Sequence, residues 1–311
     1  MTEGKLVPEK PVTSATSVAT FFTPGDAADS EYVFVRDSEY WEAHRAEIER
    51  RLQRFLPVCG DGEFAFLSDA RTHGRQRLWE MQVACMMLDA GHALQRPPRD
   101  APDVLCQLTS RRAWIEATVA GRGTGPDAVD PPDEGMVFID RDRMILRYTN
   151  ALHAKVTQYD EFRTRSVGGQ PIISPDDAYV IALNASEIPN ADIQGEIPDI
   201  VRAVFGLGRQ KFVVPVRGRK VPVPSKWPTC VSISKRSGAA VATTMFLADC
   251  APAVSAVLFT AVSPWTMRTD DYKHVTIVHN PWARVPLPRG ALGVGREWWL
   301  DREAEQLCSD R

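Results

Sequence analysis

Apolar residues recur along the chain at two different spacings, which predict both helices and strands. A spacing of three to four residues predicts amphipathic helices over 37–56, 73–94 and 142–159. The same reasoning favours a short helix at 197–207 and a terminal helix at 296–307. The helix at 73–94 is apolar along most of one side, so we expect it to be buried.

Short apolar runs bounded by turn residues predict strands. The run 104–108, a polar turn at 109–112 and the run 113–119 predict a hairpin. The runs 177–185, 240–247 and 254–262 predict further buried strands. Together the elements indicate an α/β protein with a mixed central sheet flanked by helices.

Composition along the chain divides it into an arm and one domain. Residues 1–30 are rich in Thr, Ser, Pro and Ala without periodicity, which predicts a flexible N-terminal arm. Residues 31–311 are expected to form a single α/β domain, a size that allows a substantial core. Its central elements fall at about 73–185, and a β-rich extension is expected at about 209–311.

The predicted hairpin carries two acids. Asp103 precedes its first strand and Glu116 lies in the middle of the second. Strand alternation places Trp114, Glu116 and Thr118 on one face. A carboxylate buried in a strand costs several kcal/mol unless a cation meets it, so a metal ion, a lysine or an arginine is the expected partner of Glu116.

The dipeptide Pro102-Asp103, the hairpin and the acidic strand resemble the core signature of the PD-(D/E)XK, restriction-endonuclease-like nuclease superfamily. The resemblance implies that Asp103 and Glu116 hold Mg²⁺ or Mn²⁺ and that the fold is restriction-endonuclease-like. A helix with an inward acid precedes the hairpin in such proteins, and Glu80 is its counterpart here. Glu80 would then be a third catalytic and metal-binding residue.

The same superfamily carries a lysine two residues after the second acid, where this chain has Thr118. In the predicted helix at 142–159, Lys155 and Gln158 are three residues apart and so project together. Some nuclease-fold relatives place Gln or a relocated lysine on the corresponding helix. The resemblance therefore implies that Lys155 is the catalytic lysine and that Gln158 orients it or a phosphate.

Each of these residues also has a structural interpretation, which the sequence leaves open. Lys155 would equally suit the solvated face of an amphipathic helix. Glu80 would equally suit a surface ion pair with Arg75 or Arg77. The two hairpin acids would be explained as well by salt bridges to arginines, for which the candidates are Arg111, Arg112 and Arg147.

Composition and motifs narrow the remaining possibilities. The formal net charge is −3, so no overall positive field indicates a nucleic-acid partner. Cations cluster in the last third, and Arg217, Arg219 and Lys220 are its candidate phosphate contacts. The chain lacks a Walker-type phosphate loop, a dinucleotide glycine fingerprint, a Gly-x-Ser-x-Gly elbow and a His-Glu-x-x-His motif.

Six cysteines without a Cys-x-x-Cys pair are typical of reduced residues in a cytoplasmic protein. No secretory signal or membrane-spanning run is found in the sequence, so a cytoplasmic protein without membrane contact is expected.

The function that the resemblance implies is a metal-dependent nuclease, a hydrolase of phosphodiester bonds, with DNA as its expected polymer. Thr118 favours an alternative, a catalytically inactive nuclease fold that acts as a nucleic-acid-binding or protein-interaction module. The sequence does not decide between DNA and RNA or between endo- and exonucleolytic cleavage. A homodimer is compatible with cutting two strands, but no feature of the sequence requires one.

Overall fold

A computed structural model describes residues 19–109, 111–131, 139–208, 227–268 and 272–310 of the 311-residue chain. Its helices are α1 (Ser30–Asp37), α2 (Glu42–Phe55), α3 (Glu63–Ala70), α4 (Gly74–Asp89), α5 (Arg141–Thr164) and α6 (Asp199–Phe205). Its strands are β1 (Ala93–Gln95), β2 (Val104–Gln107), β3 (Arg112–Val119), β4 (Ser166–Val167), β5 (Gln170–Pro171), β6 (Ala178–Asn184), β7 (Ser232–Ser234), β8 (Ala240–Ala242), β9 (Ala256–Thr260), β10 (Thr276–His279), β11 (Arg296–Asp301) and β12 (Gln306–Ser309).

Within the described residues, the main sheet has eight strands in the order β1-β2-β3-β6-β9-β10-β11-β12. Its first three strands form an antiparallel meander. Strands β3, β6 and β9 run parallel to one another at the centre, and β10 is antiparallel to β9. The predicted mixed central sheet is therefore confirmed, and β9–β12 show that the C-terminal part of the chain continues this sheet.

Helices cover both faces of the sheet because the central strands are apolar on both sides. One face, with Ile115 and Val180 among its residues, packs under α1–α4 in a single core. The opposite face, with Trp114 and Ile181, packs under α5 and α6. All seven residues of β6 are buried, as expected for a strand between two helical layers.

Two sequence-based expectations at the ends of the chain are wrong where the structure describes them. The terminal helix expected at 296–307 is the antiparallel pair β11–β12. Trp298 and Trp299 favour extended backbone there, and Glu305 turns the chain with a φ of 49°.

Residues 19–29 of the expected arm pack against the domain. Phe21 is fully buried, and its N–H donates to Glu49 of α2 at 2.8 Å. An aromatic side chain thus anchors a segment whose composition resembles a flexible tail. Residues 1–18, the rest of the expected arm, lie outside the described part of the chain.

The third correction concerns the expected strand at 240–247. Only Ala240–Ala242 are extended, and they pair with β7 in a small separate sheet. Across the ranges that the structure describes, no helix is both long and apolar enough to cross a membrane.

Candidate active site

The two hairpin acids meet at a notch in the sheet, the place where β3 extends beyond the start of β2. Strand β2 begins at Val104, which pairs with Ile115, whereas β3 continues for four residues to Val119. Asp103 therefore stands beside Glu116 at the point where β3 outruns its neighbour. Pro102 lacks an N–H, so it cannot donate a ladder hydrogen bond before Asp103.

Side chains replace the missing strand along the free edge of β3. The Ala117 N–H donates to Asp103 Oδ2 at 2.7 Å. One step further, Gln76 of α4 donates to the Ala117 carbonyl at 3.1 Å and accepts from the Val119 N–H at 3.0 Å. These contacts satisfy main-chain groups that would otherwise lack partners, and they fix Asp103 against the edge of β3.

Glu80 approaches Asp103 from α4. Its side chain is buried and accepts from Arg77 Nη1 at 2.8 and 3.0 Å. Arg77 also donates to Asp69 at 2.6 Å and to Asp61 at 2.9 Å, so its charge is shared among three acids. The inward acid and the Arg77 ion pair, which the sequence offered as alternatives, are both present.

Lys155 reaches Glu116 from the opposite layer. Its Nζ lies 2.6 Å from Glu116 Oε1 and 2.9 Å from Gln158 Oε1. The Glu116 side chain is 5 % exposed, whereas that of Lys155 is 18 % exposed. The i, i+3 spacing predicted this proximity of Lys155 and Gln158 on α5. Strand alternation grouped Glu116 with Trp114, and the structure shows that this face of β3 lies under α5.

Negative charge is in excess at this notch. Burial, followed by the charge of Asp103, raises the pKa of Glu116 to about 8. The same two causes raise the pKa of Glu80 well above its ordinary value, despite Arg77. Among the ion pairs of the described residues, none joins Asp103 to a cation. The arrangement therefore favours either a shared proton or an additional cation.

The arginines that the sequence offered as structural partners contact other groups. Arg112 makes a two-point ion pair with Asp177, at 3.0 and 2.9 Å. Arg147 donates to the Gly121 carbonyl, and Arg111 donates to that of Pro286. Among the described residues, the hydrogen bonds of these arginines do not include either hairpin acid.

The structure brings together five residues that the sequence predicts for the site: Glu80, Asp103, Glu116, Lys155 and Gln158. The candidate phosphate contacts Arg217, Arg219 and Lys220 lie outside the described residues. In the described ranges, no three or more His, Cys, Asp or Glu side chains are already grouped to hold a metal ion.

Sequence reasoning missed one residue of the site, Gln76. A signal was present, because Gln76 lies four residues before Glu80 and so shares its helical face. The strand edge that it completes was not visible in the sequence, since the length difference between β2 and β3 arises only on pairing.

Comparison with known proteins finds no relative. No protein-family model, curated protein or solved structure matches this chain.

Proposed function

We propose that this protein is a metal-dependent nuclease that hydrolyses phosphodiester bonds, with DNA as its polymer. The observation that supports it most is the meeting of Asp103, Glu116 and Lys155 from three separate elements at one notch. A purely structural pair would need no third carboxylate beside it. Here Glu80 pairs with Arg77 and Glu116 with Lys155, and among the described ion pairs none supplies a cation to Asp103, which lies beside both acids.

The order of elements also supports the proposal. A helix with a buried acid, a hairpin with two acids, a helix with Lys and Gln, and a buried parallel strand follow one another as α4, β2–β3, α5 and β6. This is the order on which the resemblance to PD-(D/E)XK nucleases rests. A restriction-endonuclease-like core is therefore part of the proposal.

The residues of the notch fit a hard divalent cation. Mg²⁺ is commonly held by one or two carboxylates, with water and substrate phosphate completing its shell. Asp103 Oδ2 is held by the Ala117 N–H, and the rest of this carboxylate lies beside two other acids. Asp103 and Glu116 would hold the metal, and Glu80 would contribute directly or through water. Oxygen ligands suit Mg²⁺ or Mn²⁺ better than zinc.

Each protein group then has a definite task. The bound metal would acidify a water molecule and offset the charge of the phosphodiester. The Lys155 ammonium would orient that water or a phosphate oxygen by hydrogen bonding. Gln158 would restrain Lys155, because its amide oxygen already accepts from the ammonium group. Asp103 and Glu116 would stay ionised, which the metal charge favours.

Cleavage of plasmid DNA, single-stranded DNA and RNA with Mg²⁺ or Mn²⁺ tests the proposal. The wild type should cut at least one polymer, and Asp103→Asn, Glu116→Gln and Lys155→Ala should each abolish or strongly reduce cutting. The matched control is Asp160→Asn, an exposed acid on α5. Loss of cutting in this control would show that removal of any charge from α5 is enough to abolish cleavage, whether or not the charge lies in the candidate site.

Thr118 supports the second candidate, a nuclease-like fold that binds without turnover. It occupies the position of the strand lysine and lies on the same face of β3 as Glu116. Absence of cleavage on all three polymers, together with no rise in melting temperature on adding Mn²⁺, would favour this candidate. A nucleic-acid binding assay in EDTA would then separate nucleic-acid binding from protein interaction.

A further inference from the structure

We propose that Lys155 and the divalent metal compete for Glu116, so that metal binding releases Lys155 toward the substrate. This inference rests on the proposed function, because it assumes that Glu116 is a metal ligand. It adds a coupling between metal binding and the position of the catalytic lysine.

The ion pair occupies the carboxylate that the metal would need. Lys155 Nζ lies 2.6 Å from Glu116 Oε1, and Asp103 lies close enough for its charge to raise the pKa of this carboxyl. With both groups in place, a cation approaching between Asp103 and Glu116 would come within a few ångströms of the ammonium. Like charges about 4 Å apart repel strongly at the effective dielectric constant of a protein surface. The ammonium therefore has to move when the metal binds.

Gln158 provides an alternative position for the released lysine. Its Oε1 accepts from Lys155 at 2.9 Å, and it belongs to the same helix, so its contact does not depend on the sheet. Lys155 is more exposed than Glu116, so its ammonium reaches water by rotating its long side chain rather than by moving the backbone. In the metal-free protein Lys155 thus donates a hydrogen bond to Glu116, and in the metal-bound protein it is available to water or phosphate.

If Lys155 and the metal compete for Glu116, the effect of removing Lys155 on metal binding is opposite to the effect expected when Lys155 helps to assemble the metal site. Removing the lysine should strengthen metal binding, because the two cations no longer exclude each other. By reciprocity, adding the metal should weaken the hold of Glu116 on Lys155 by the same factor. A lysine that helped to assemble the metal site would instead weaken metal binding when removed.

The first arm of the experiment is Mn²⁺ titration by calorimetry of the wild type, Lys155→Met and Gln158→Leu. We expect Lys155→Met to lower the Mn²⁺ Kd by roughly tenfold, within the range usual for coupled sites. Gln158→Leu should not lower the Kd, because the lysine remains on Glu116 and loses the partner that would hold it after release. An equal or higher Kd for Lys155→Met, with the wild type binding Mn²⁺, overturns the competition and leaves the nuclease proposal standing.

The second arm uses only the wild type, so it does not depend on the folding of a variant. Brief acetylation with and without Mn²⁺, followed by peptide mass spectrometry, reports the access of each lysine. Labelling of Lys155 should increase with Mn²⁺, whereas labelling of Lys235 in the β7–β8 turn should not. Unchanged labelling of Lys155 with Mn²⁺ bound overturns the inference. Absence of Mn²⁺ binding by both the wild type and Lys155→Met overturns the proposed function as well.

Discussion

Asp103 Oδ2 accepts the main-chain N–H of Ala117 at 2.7 Å, so a carboxylate takes the place of a strand at the edge of β3. This contact links the fold to the proposed chemistry. The late start of β2, at Val104, is what leaves the edge of β3 open beyond Ile115, and the residue that fills it is the acid beside Glu116. Small changes at this edge should therefore affect both stability and the geometry of the acids.

Gln76→Leu tests how much the side-chain hydrogen bonds at the unpaired edge of β3 contribute to stability and to cleavage. The change removes both hydrogen bonds from the Gln76 amide to the end of β3 and leaves the Ala117 carbonyl and Val119 N–H without that partner. We expect a loss of about 1–3 kcal/mol in the free energy of unfolding. We also expect weaker cleavage by the folded protein, because Ala117 adjoins Glu116.

Urea unfolding and a cleavage assay below the transition measure the two effects of Gln76→Leu separately. The control is Gln306→Leu, an exposed position on β12, which should change neither. Full cleavage activity in folded Gln76→Leu would restrict Gln76 to a structural role.

Thr118→Lys tests whether the lysine position on the strand is still usable. Glu116 and Thr118 are two residues apart on β3 and so share the face toward α5. Lys155→Ala should reduce cleavage by roughly 10²–10³-fold, the effect of losing one charge-stabilising donor. Adding Thr118→Lys to this variant should restore part of the rate.

The matched control for this rescue is Thr157→Lys in the Lys155→Ala background. Thr157 is exposed on α5, so the variant adds the same charge away from the notch. Rescue by both lysines would indicate a general effect of charge on substrate binding. Rescue by neither, in folded proteins, would contradict the assignment of the Thr118 position.

The sequence predicted the elements that carry the acids more accurately than the chain ends. Alternation in β3 grouped Glu116 with Thr118, and the i, i+3 spacing in α5 grouped Lys155 with Gln158, because both signals are local. The contact between Lys155 and Glu116 was implied only by the resemblance. Phe21 was assigned to an arm because its burial depends on Glu49 and on helices remote in sequence. Pairing of β11 with β12 likewise depends on the sheet to which β11 adds.

The raised pKa of Glu116 predicts how stability depends on pH in the absence of metal. Its carboxyl titrates at about 8 in the folded protein and near its ordinary value of about 4.3 in the unfolded chain. Between these values the folded state binds more protons, so its stability should fall as pH rises from about 4.3 toward 8. Glu116→Gln should flatten this dependence.

Melting temperatures measured in EDTA from pH 5.5 to 8.5 test whether stability falls with rising pH, as the raised pKa of Glu116 predicts. The melting temperature of Glu116→Gln should rise relative to that of the wild type as pH increases. Asp160→Asn is the control, and its difference from the wild type should not follow this trend. A constant difference for Glu116→Gln across this range would contradict a raised pKa.

Asp177 provides a contrast between an acid that stabilises the fold and the acids of the notch. It is buried immediately before β6, where it pairs with Arg112 and accepts from Trp114 Nε1 at 2.9 Å and from the Ser174 N–H at 3.0 Å. Since Arg112 is 41 % exposed, solvent screens part of the ion pair. Asp177→Asn should therefore cost about 1–3 kcal/mol of unfolding free energy, mainly through weakened buried hydrogen bonds.

Glu116→Gln should behave in the opposite way in EDTA at pH 8, where it removes one of three crowded carboxylates. We expect its unfolding free energy to equal or exceed that of the wild type, whereas its metal-dependent cleavage is lost. Asp177→Asn should retain cleavage while it remains folded. The hydrogen bonds of Asp177 within the described residues go to Arg112, Trp114 and Ser174, and not to Glu80, Asp103 or Glu116. Urea unfolding and cleavage assays on the same samples of both variants measure these two effects. A large loss of metal-free stability in Glu116→Gln would mean that Glu116 and Lys155 form a structural ion pair, and it would remove the strongest support for a metal site.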